Sequence, residues 1–210
     1  MAINKKNLDE INNFLKNYNN SKLLIVTKKQ TNTDIIELIN QGYQYFAENK
    51  VQEANTKYSP IIEKYQLTLD LIGPLQTNKV KDALQLFDGI HSLDRKKLID
   101  EIVRQKNIKP IKTKKFFIQV NIGEEQQKSG VSPNELKELY EYTIQQNLKI
   151  YGLMCIPPND NFSDRYFGQM LELKNKINKE LKLSMGMSND YKQALASGSD
   201  IIRIGSLIFE

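Results

Sequence analysis

The chain is 210 residues long, a length that fits one domain with a substantial core, and single α/β barrels commonly reach this size. Hydrophobic content of 40% with 26% charged residues is ordinary for a soluble globular protein, and no apolar run approaches the ~20 residues that span a bilayer. The net charge of +5 gathers only at "KPIKTKK", residues 109–115, where no aromatic residues interleave, so a solvated loop is favoured over a nucleic-acid surface.

The opening segment, "MAINKKNLDEINNFLKNYNN", is polar, and Ile11, Phe14, Leu15 and Tyr18 fall at helical spacing rather than in the unbroken apolar core of a signal peptide. A cytoplasmic protein is expected. One cysteine, Cys155, excludes an internal disulfide and a multi-thiolate metal site, and one histidine, His91, argues against a zinc centre.

Short β-rich runs then alternate with helical patterns: residues 23–27, 43–47, 68–73, 89–93, 116–122, 150–156, 183–187 and 201–205. In the first connection Thr33 is expected to cap a helix that stops at Gly42, with Ile35, Ile36, Leu38 and Ile39 on its apolar face. Asp94 is expected to cap the helix carrying Leu98, Ile99, Ile102 and Val103. In "SPNELKELY", Ser132 caps, Pro133 takes the first helical position and Glu135 completes a capping box. A longer helix follows, with Phe167, Met170, Leu171, Ile177 and Leu181 on one side. Such alternation favours a parallel sheet covered by helices. With eight strand and helix units, a single (β/α)8 TIM barrel over residues 1–210 is the leading expectation, and an open doubly wound sheet the second.

In a barrel the C-terminal strand ends share one mouth, where active sites are built. Lys28, Glu48, Asn49, Gly73, Ser92, Asp94, Asn121, Met154, Ser188, Gly205 and Ser206 would converge there. Alternation along the last strand gives Ile202 and Ile204 to the helix layer and turns Arg203 inward. Barrels often hold a phosphate in the loops after strands seven and eight. Ser188 is expected to open the helix running to Gly198, and Gly205 to let backbone approach the same oxygens. A lysine opposite such a site suits an aldehyde-bearing phosphate ester held as a Schiff base, with partial desolvation and the Arg203 cation favouring the free amine. Pyridoxal 5'-phosphate is one such compound and the substrate of a sugar-phosphate aldolase another.

The motifs "LLIVTK", "FAENKVQEA", "LIGPLQTNK", "HSLD", "QVNI" followed by "KSG", "GLMCIP", "SMGMSND" and "IRIGSLIF" occur in an order that resembles the pyridoxal phosphate homeostasis proteins, also called the YggS or proline synthetase co-transcribed family. The resemblance spans nearly the whole chain. It implies a barrel like the N-terminal domain of alanine racemase, with pyridoxal phosphate bound covalently at Lys28. It further implies Asn49 beside the ring, Ser188, Gly205 and Ser206 with Arg203 as the phosphate and pyridine-nitrogen contacts, and Met154 and Met187 lining the ring.

An arginine cannot keep a pyridine nitrogen protonated as an acid would, which weakens the ring as an electron sink. A racemase also needs an acid or base on the other ring face, from a further domain for which a chain ending at Glu210 leaves no room. The resemblance therefore implies a monomeric carrier in intracellular cofactor homeostasis, in transient contact with apo-enzymes and without strong catalysis. A pyridoxal-dependent amino-acid racemase is the alternative. Gln30, Ala47 and Asp70 depart from residues common in the family, a lysine, a glycine and a histidine. His91 reads as hydrogen-bonded structure and Cys155 as a packed thiol. Glu48 either orients Lys28 or Asn49 or begins a helix, and residues 123–130 form either a lid or a surface loop.

Overall fold

The computed structural model describes residues 3–209. Eight parallel strands close on themselves in chain order: β1 (Lys22–Val26), β2 (Tyr45–Glu48), β3 (Thr68–Leu71), β4 (Gly89–Leu93), β5 (Lys115–Val120), β6 (Gly152–Cys155), β7 (Lys182–Ser184) and β8 (Ile201–Ile204). β8 returns to pair with β1, in the register Leu24 to Arg203 and Ile25 to Ile204. The closed barrel, rather than the open sheet, is the architecture. Every expected strand is present; β4 matches its run, β1 keeps its length but begins one residue earlier, and the others are shorter because flanking residues turn into the loops.

Nine helices lie among the described residues: α1 (Lys5–Leu15), α2 (Asn32–Asn40), α3 (Val51–Tyr58), α4 (Val80–Leu86), α5 (Lys96–Ile108), α6 (Leu136–Gln145), α7 (Ser163–Ile177), α8 (Tyr191–Ala196) and α9 (Ser206–Phe209). Alternation divides the strand residues between two apolar clusters. Ile25, Phe46, Leu69, Ile90, Ile118, Leu153, Leu183, Ile202 and Ile204 join the large cluster under the helices. Leu24, Val26, Ala47, Phe117, Met154 and Ile201 form the small one that fills the barrel. Both faces of β1 are thus buried, with Leu24 and Val26 turned inward, and Lys28 follows two residues beyond Val26. Among the described residues no helix is long and apolar enough to cross a membrane.

Several helix starts differ from the sequence reading. Thr31, not Thr33, caps α2: its hydroxyl accepts from the Asp34 amide at 3.3 Å, and the Asp34 carboxylate accepts from the Thr31 amide at 3.0 Å. Gly42, at φ +93°, stops that helix as expected. Asp94 does not cap α5, since its carboxylate is taken by the Arg95 guanidinium at 2.5 Å. Ser132 and Glu135 do bond each other, but across a turn, and α6 opens only at Leu136. Leu181 lies beyond α7, buried just ahead of β7. Glu210, where the sequence reading ends the barrel, lies outside the described residues.

The basic run ahead of β5 is tied inward. Lys112 meets Asp88 at 2.9 Å and the Leu86 carbonyl at 2.9 Å, and Lys115 lies over the rings of Tyr45 and Tyr151.

Candidate functional site

β1 ends at Val26, and a turn follows at once, with Gln30 N–H donating to the Thr27 carbonyl at 3.0 Å and Lys29 in the left-handed region at φ +64°. A residue with a β-carbon pays about 1 kcal/mol for that conformation. Lys29 N–H is fixed by the Glu53 carboxylate at 2.9 Å, which offsets the strain. Lys28, at the head of this turn, is exposed. The expected desolvation of its amine is therefore absent from this arrangement.

The outward side of the same strand end is held by α3. The Thr27 hydroxyl donates to Glu48 Oε1 at 2.8 Å, which leaves the Tyr58 hydroxyl, 2.6 Å away, to donate to Thr27. Lys57 Nζ reaches Glu48 at 3.0 Å and Glu53 at 2.7 Å. Burial, the largest influence, raises the Glu48 pKa above the ordinary carboxylate value against the bonds from Lys57 and Thr27. Glu48 thus neither begins α3 nor faces the mouth: it braces the turn that carries Lys28.

Asn49 follows Glu48 at the end of β2. Its Oδ1 is buried without a hydrogen-bond partner among the described residues. β3 comes close beside it, because a β-carbon at Gly73 would stand 2.1 Å from the Asn49 carbonyl oxygen. Gly73 is the condition for that contact.

On the other side of β1, Gly205 packs on Val26, where an added β-carbon would lie 3.1 Å from the Val26 carbonyl. Ser206 Oγ donates to Ser188 Oγ at 2.9 Å, and Leu207 N–H points to the same oxygen at 3.4 Å. Two corrections follow. Ser188 does not open a helix, because Asp190 accepts from Met187 N–H at 2.6 Å and folds residues 187–190 into a turn before α8. The hydroxyl pair also follows β7 and β8, on the side of the barrel next to β1 rather than across from it, since β8 pairs with β1.

Arg203 is 3% exposed and faces the barrel interior, where NH1 donates to the Ser184 carbonyl at 2.6 Å and its hydroxyl at 3.0 Å, and NH2 to the Cys155 carbonyl at 2.8 Å. Met154 is fully buried in the inner cluster, while Met187 is partly exposed in the turn beside Ser188. Burial pushes the Cys155 thiol up to about 12, as befits a packed group. His91 is hydrogen-bonded structure: Nε2 lies 3.0 Å from Asp70 and Nδ1 3.0 Å from Ser184. Residues 123–130 are tied down, with Asn121 bonded to Glu125, Gln119 to the Ser129 carbonyl, and Lys128 to the Pro157 carbonyl.

Lys28, Asn49, Ser188, Gly205 and Ser206 therefore gather around the ends of β1, β2, β7 and β8, with Arg203 below them. Ser92, Asp94 and Asn121 serve other contacts or none. Missed from the sequence were Thr27, Glu53, Lys57 and Tyr58 behind Lys28, and Tyr45, Asp70 and Ser184 in the interior. The i to i+4 pair Glu53 and Lys57 was a visible signal on the helix after "EN"; the interior set left none, because it forms only when distant strands close.

The family described as alanine racemase, N-terminal domain, matches residues 3–210. A pyridoxal phosphate homeostasis protein of Aquifex aeolicus is 42% identical over 200 residues, covering 91% of this chain and 87% of the relative. The solved structure of PipY from Synechococcus elongatus without PLP superposes with a TM-score of 0.86 at 30% identity, covering 98% and 99% of the two chains. The same protein with PLP bound gives 0.80. An alanine racemase of Clostridium difficile, at 15% identity and TM-score 0.76 over 97% of this chain and 55% of its own, shares the fold. On these grounds the chain belongs to the pyridoxal phosphate homeostasis protein family, built on the alanine racemase N-terminal domain.

Proposed function

We propose that this protein binds pyridoxal 5'-phosphate covalently through Lys28 and acts as an intracellular carrier, keeping free aldehyde low and supplying apo-enzymes without strong turnover chemistry of its own. The cofactor supplies an aldehyde that condenses with an amine, and a phosphate ester on the neighbouring ring carbon. The observation that carries this reading is that Lys28 follows β1 and Ser206 follows its neighbour β8, with Ser206 bonded to Ser188 beyond β7, an order of strand ends that suits those two arms.

The remaining residues fit the group. Asn49 offers a buried oxygen without a partner, beside the ring. Gly205 leaves open the space that a side chain would fill next to Val26. Arg203 presents a cation from below, in the role of pyridine-nitrogen partner, and Met154 and Met187 supply apolar surface for the ring faces. An arginine in that position draws little electron density through the ring, which disfavours carbanion chemistry and hence racemisation.

The test is the visible spectrum of protein mixed with pyridoxal 5'-phosphate, followed by borohydride reduction, digestion and mass spectrometry. The tag is expected on the peptide carrying Lys28, and incubation with L-alanine is expected to yield no D-alanine. A tag elsewhere, or none, overturns the binding reading; sustained racemisation overturns the carrier reading.

A further inference from the structure

The barrel interior contains a directed chain of hydrogen bonds that carrier function alone does not explain. At one end the Asp70 carboxylate accepts from the Tyr45 hydroxyl and lies 3.0 Å from His91 Nε2. His91 Nδ1 lies 3.0 Å from Ser184 Oγ, which in turn accepts from Arg203 NH1 at 3.0 Å. An ionised Asp70 only accepts, so Nε2 carries the imidazole proton. In the neutral ring Nδ1 must then accept, which turns the Ser184 hydroxyl proton toward it. Ser184 is left accepting from the guanidinium. Each donor thus points along the chain from the Arg203 cation to the Asp70 anion.

The protonation states agree with this direction. Burial alone would raise Asp70, but the His91 bond, the Tyr45 bond and the Lys115 charge hold it below the usual carboxylate value. Burial, with Arg203 and Lys115 nearby, holds the His91 imidazole below its ordinary value despite Asp70. The groups facing the chain are Lys115 and Tyr45 at its Asp70 end, Phe117 stacked on the His91 ring at 4.0 Å, and Cys155 and Asp190 near Arg203.

Asp70, His91 and Ser184 are each at most 1% exposed, although apolar side chains would fill the same space without the cost of desolvating charge. The chain ends on Arg203, and among the described residues its protein bonds engage three of the five guanidinium N–H groups, leaving two outside those bonds.

We propose that Asp70, His91 and Ser184 are positioning residues that fix the Arg203 guanidinium and, with Asp190, temper its charge, and thereby set the electronic state of pyridoxal 5'-phosphate in this site. The proposal rests on the reading of the site given above. Removing the Asp70 charge takes the anion from the far end of the chain, leaves Asp190 as the carboxylate near the guanidinium and frees the His91 tautomer; removing the Ser184 hydroxyl cuts the same chain at its other end. Both changes strengthen the cationic field at the ring, so both lower the midpoint of the pH titration of the bound cofactor's visible absorbance.

The experiment compares wild type, Asp70→Asn, Ser184→Ala, Ser184→Thr and the Asp70→Asn/Ser184→Ala double variant, each loaded with pyridoxal 5'-phosphate. Asp70→Asn and Ser184→Ala are expected to lower the midpoint by about half a pH unit or more. The double variant is expected to shift no further than either alone, because one chain is cut twice. Ser184→Thr keeps the hydroxyl and restores the wild-type value. Unchanged midpoints, or shifts that simply add, overturn the relay. If Asp70→Asn does not fold, the contrast between alanine and threonine at position 184 decides. The borohydride tag on the Lys28 peptide is recorded for every sample: its absence in wild type overturns the site reading beneath the proposal, whereas its presence with unmoved midpoints overturns the relay alone.

Discussion

The ammonium of Lys57 donates to the carbonyl oxygen of Thr27 at 2.9 Å, so a cation on α3 closes the turn whose next residue is Lys28. The same ammonium pairs with Glu48, whose side chain is fully buried, and with Glu53, which holds the Lys29 amide. One side chain therefore links the helix to both sides of Lys28. Lys57→Met is expected to cost about 2–3 kcal/mol, less than the ~3–5 of breaking a fully buried pair, because Glu48 can take up a proton. The loosened turn is expected to slow capture of pyridoxal 5'-phosphate by Lys28. Denaturant unfolding and stopped-flow absorbance measure the two effects; a destabilised variant with wild-type capture would confine Lys57 to the fold.

Lys28 itself is exposed and makes no hydrogen bond or ion pair among the described residues. Lys28→Ala is therefore expected to leave the stability of the ligand-free protein within about 0.5 kcal/mol of wild type. Visible absorbance after mixing with pyridoxal 5'-phosphate is expected to be lost. Thermal melts with and without ligand check both, and a visible band persisting in the variant would move the attachment to another amine.

The contrast between Lys28 and Lys57 marks what the sequence made legible. The barrel follows from apolar strand runs and helix stripes, which are local, and the inward turn of Arg203 follows from alternation in "IIRIG". Lys28, Ser188 and Arg203 stood at strand ends or on a strand, where parity and motif reach. The interior chain was hidden because Asp70, His91 and Ser184 come from three strands whose shared bonds depend on barrel stagger. The side of the barrel on which the hydroxyl pair lies was misread for a related reason: chain order puts β8 farthest from β1, while closure makes them neighbours.

Burial of His91 gives stability a pH dependence of definite sign. The unfolded chain binds a proton there below about pH 6.5, whereas the folded chain resists it, so stability rises with pH up to that value. The slope cannot exceed about 1.4 kcal/mol per pH unit for one proton. Asp70, held low, acts in a separate window: its contribution is present above about pH 3.9 and is lost as pH falls through the folded value. Glu48, raised by burial, contributes with the opposite sign above its ordinary value, stability falling as pH rises. The informative quantity is thus the difference between wild type and His91→Gln. The variant is expected to lose part of the rise in Tm between pH 5 and about 6.5, and identical slopes in both proteins would contradict the buried neutral imidazole.

The two site glycines differ in how much room they leave. A β-carbon at Gly73 would stand 2.1 Å from backbone, which cannot give way without moving Asn49, whereas at Gly205 the nearest atom would be 3.1 Å away. Gly73→Ala is expected to cost about 1–3 kcal/mol or more and to disturb Asn49, and Gly205→Ala to cost less than that. Chemical denaturation orders the pair, and the reverse order would show that β3 is free to shift while β8 is not.

The phosphate-binding role proposed for Ser188 and Ser206 can be separated by experiment from recognition of the aldehyde. Both side chains are partly or well exposed, so replacing either by alanine is expected to change stability by no more than about 0.5 kcal/mol. A hydroxyl that donates to phosphate is worth about 1.5–3 kcal/mol, a loss of roughly ten-fold to a hundred-fold in affinity. Pyridoxal, which carries the aldehyde without the phosphate, never makes that bond. Ser188→Ala and Ser206→Ala are accordingly expected to weaken pyridoxal 5'-phosphate while leaving pyridoxal unchanged, as read from absorbance titrations of both compounds. Equal weakening of the two would mean that the serines shape the pocket around the ring, and unchanged affinity for both would remove them from the site.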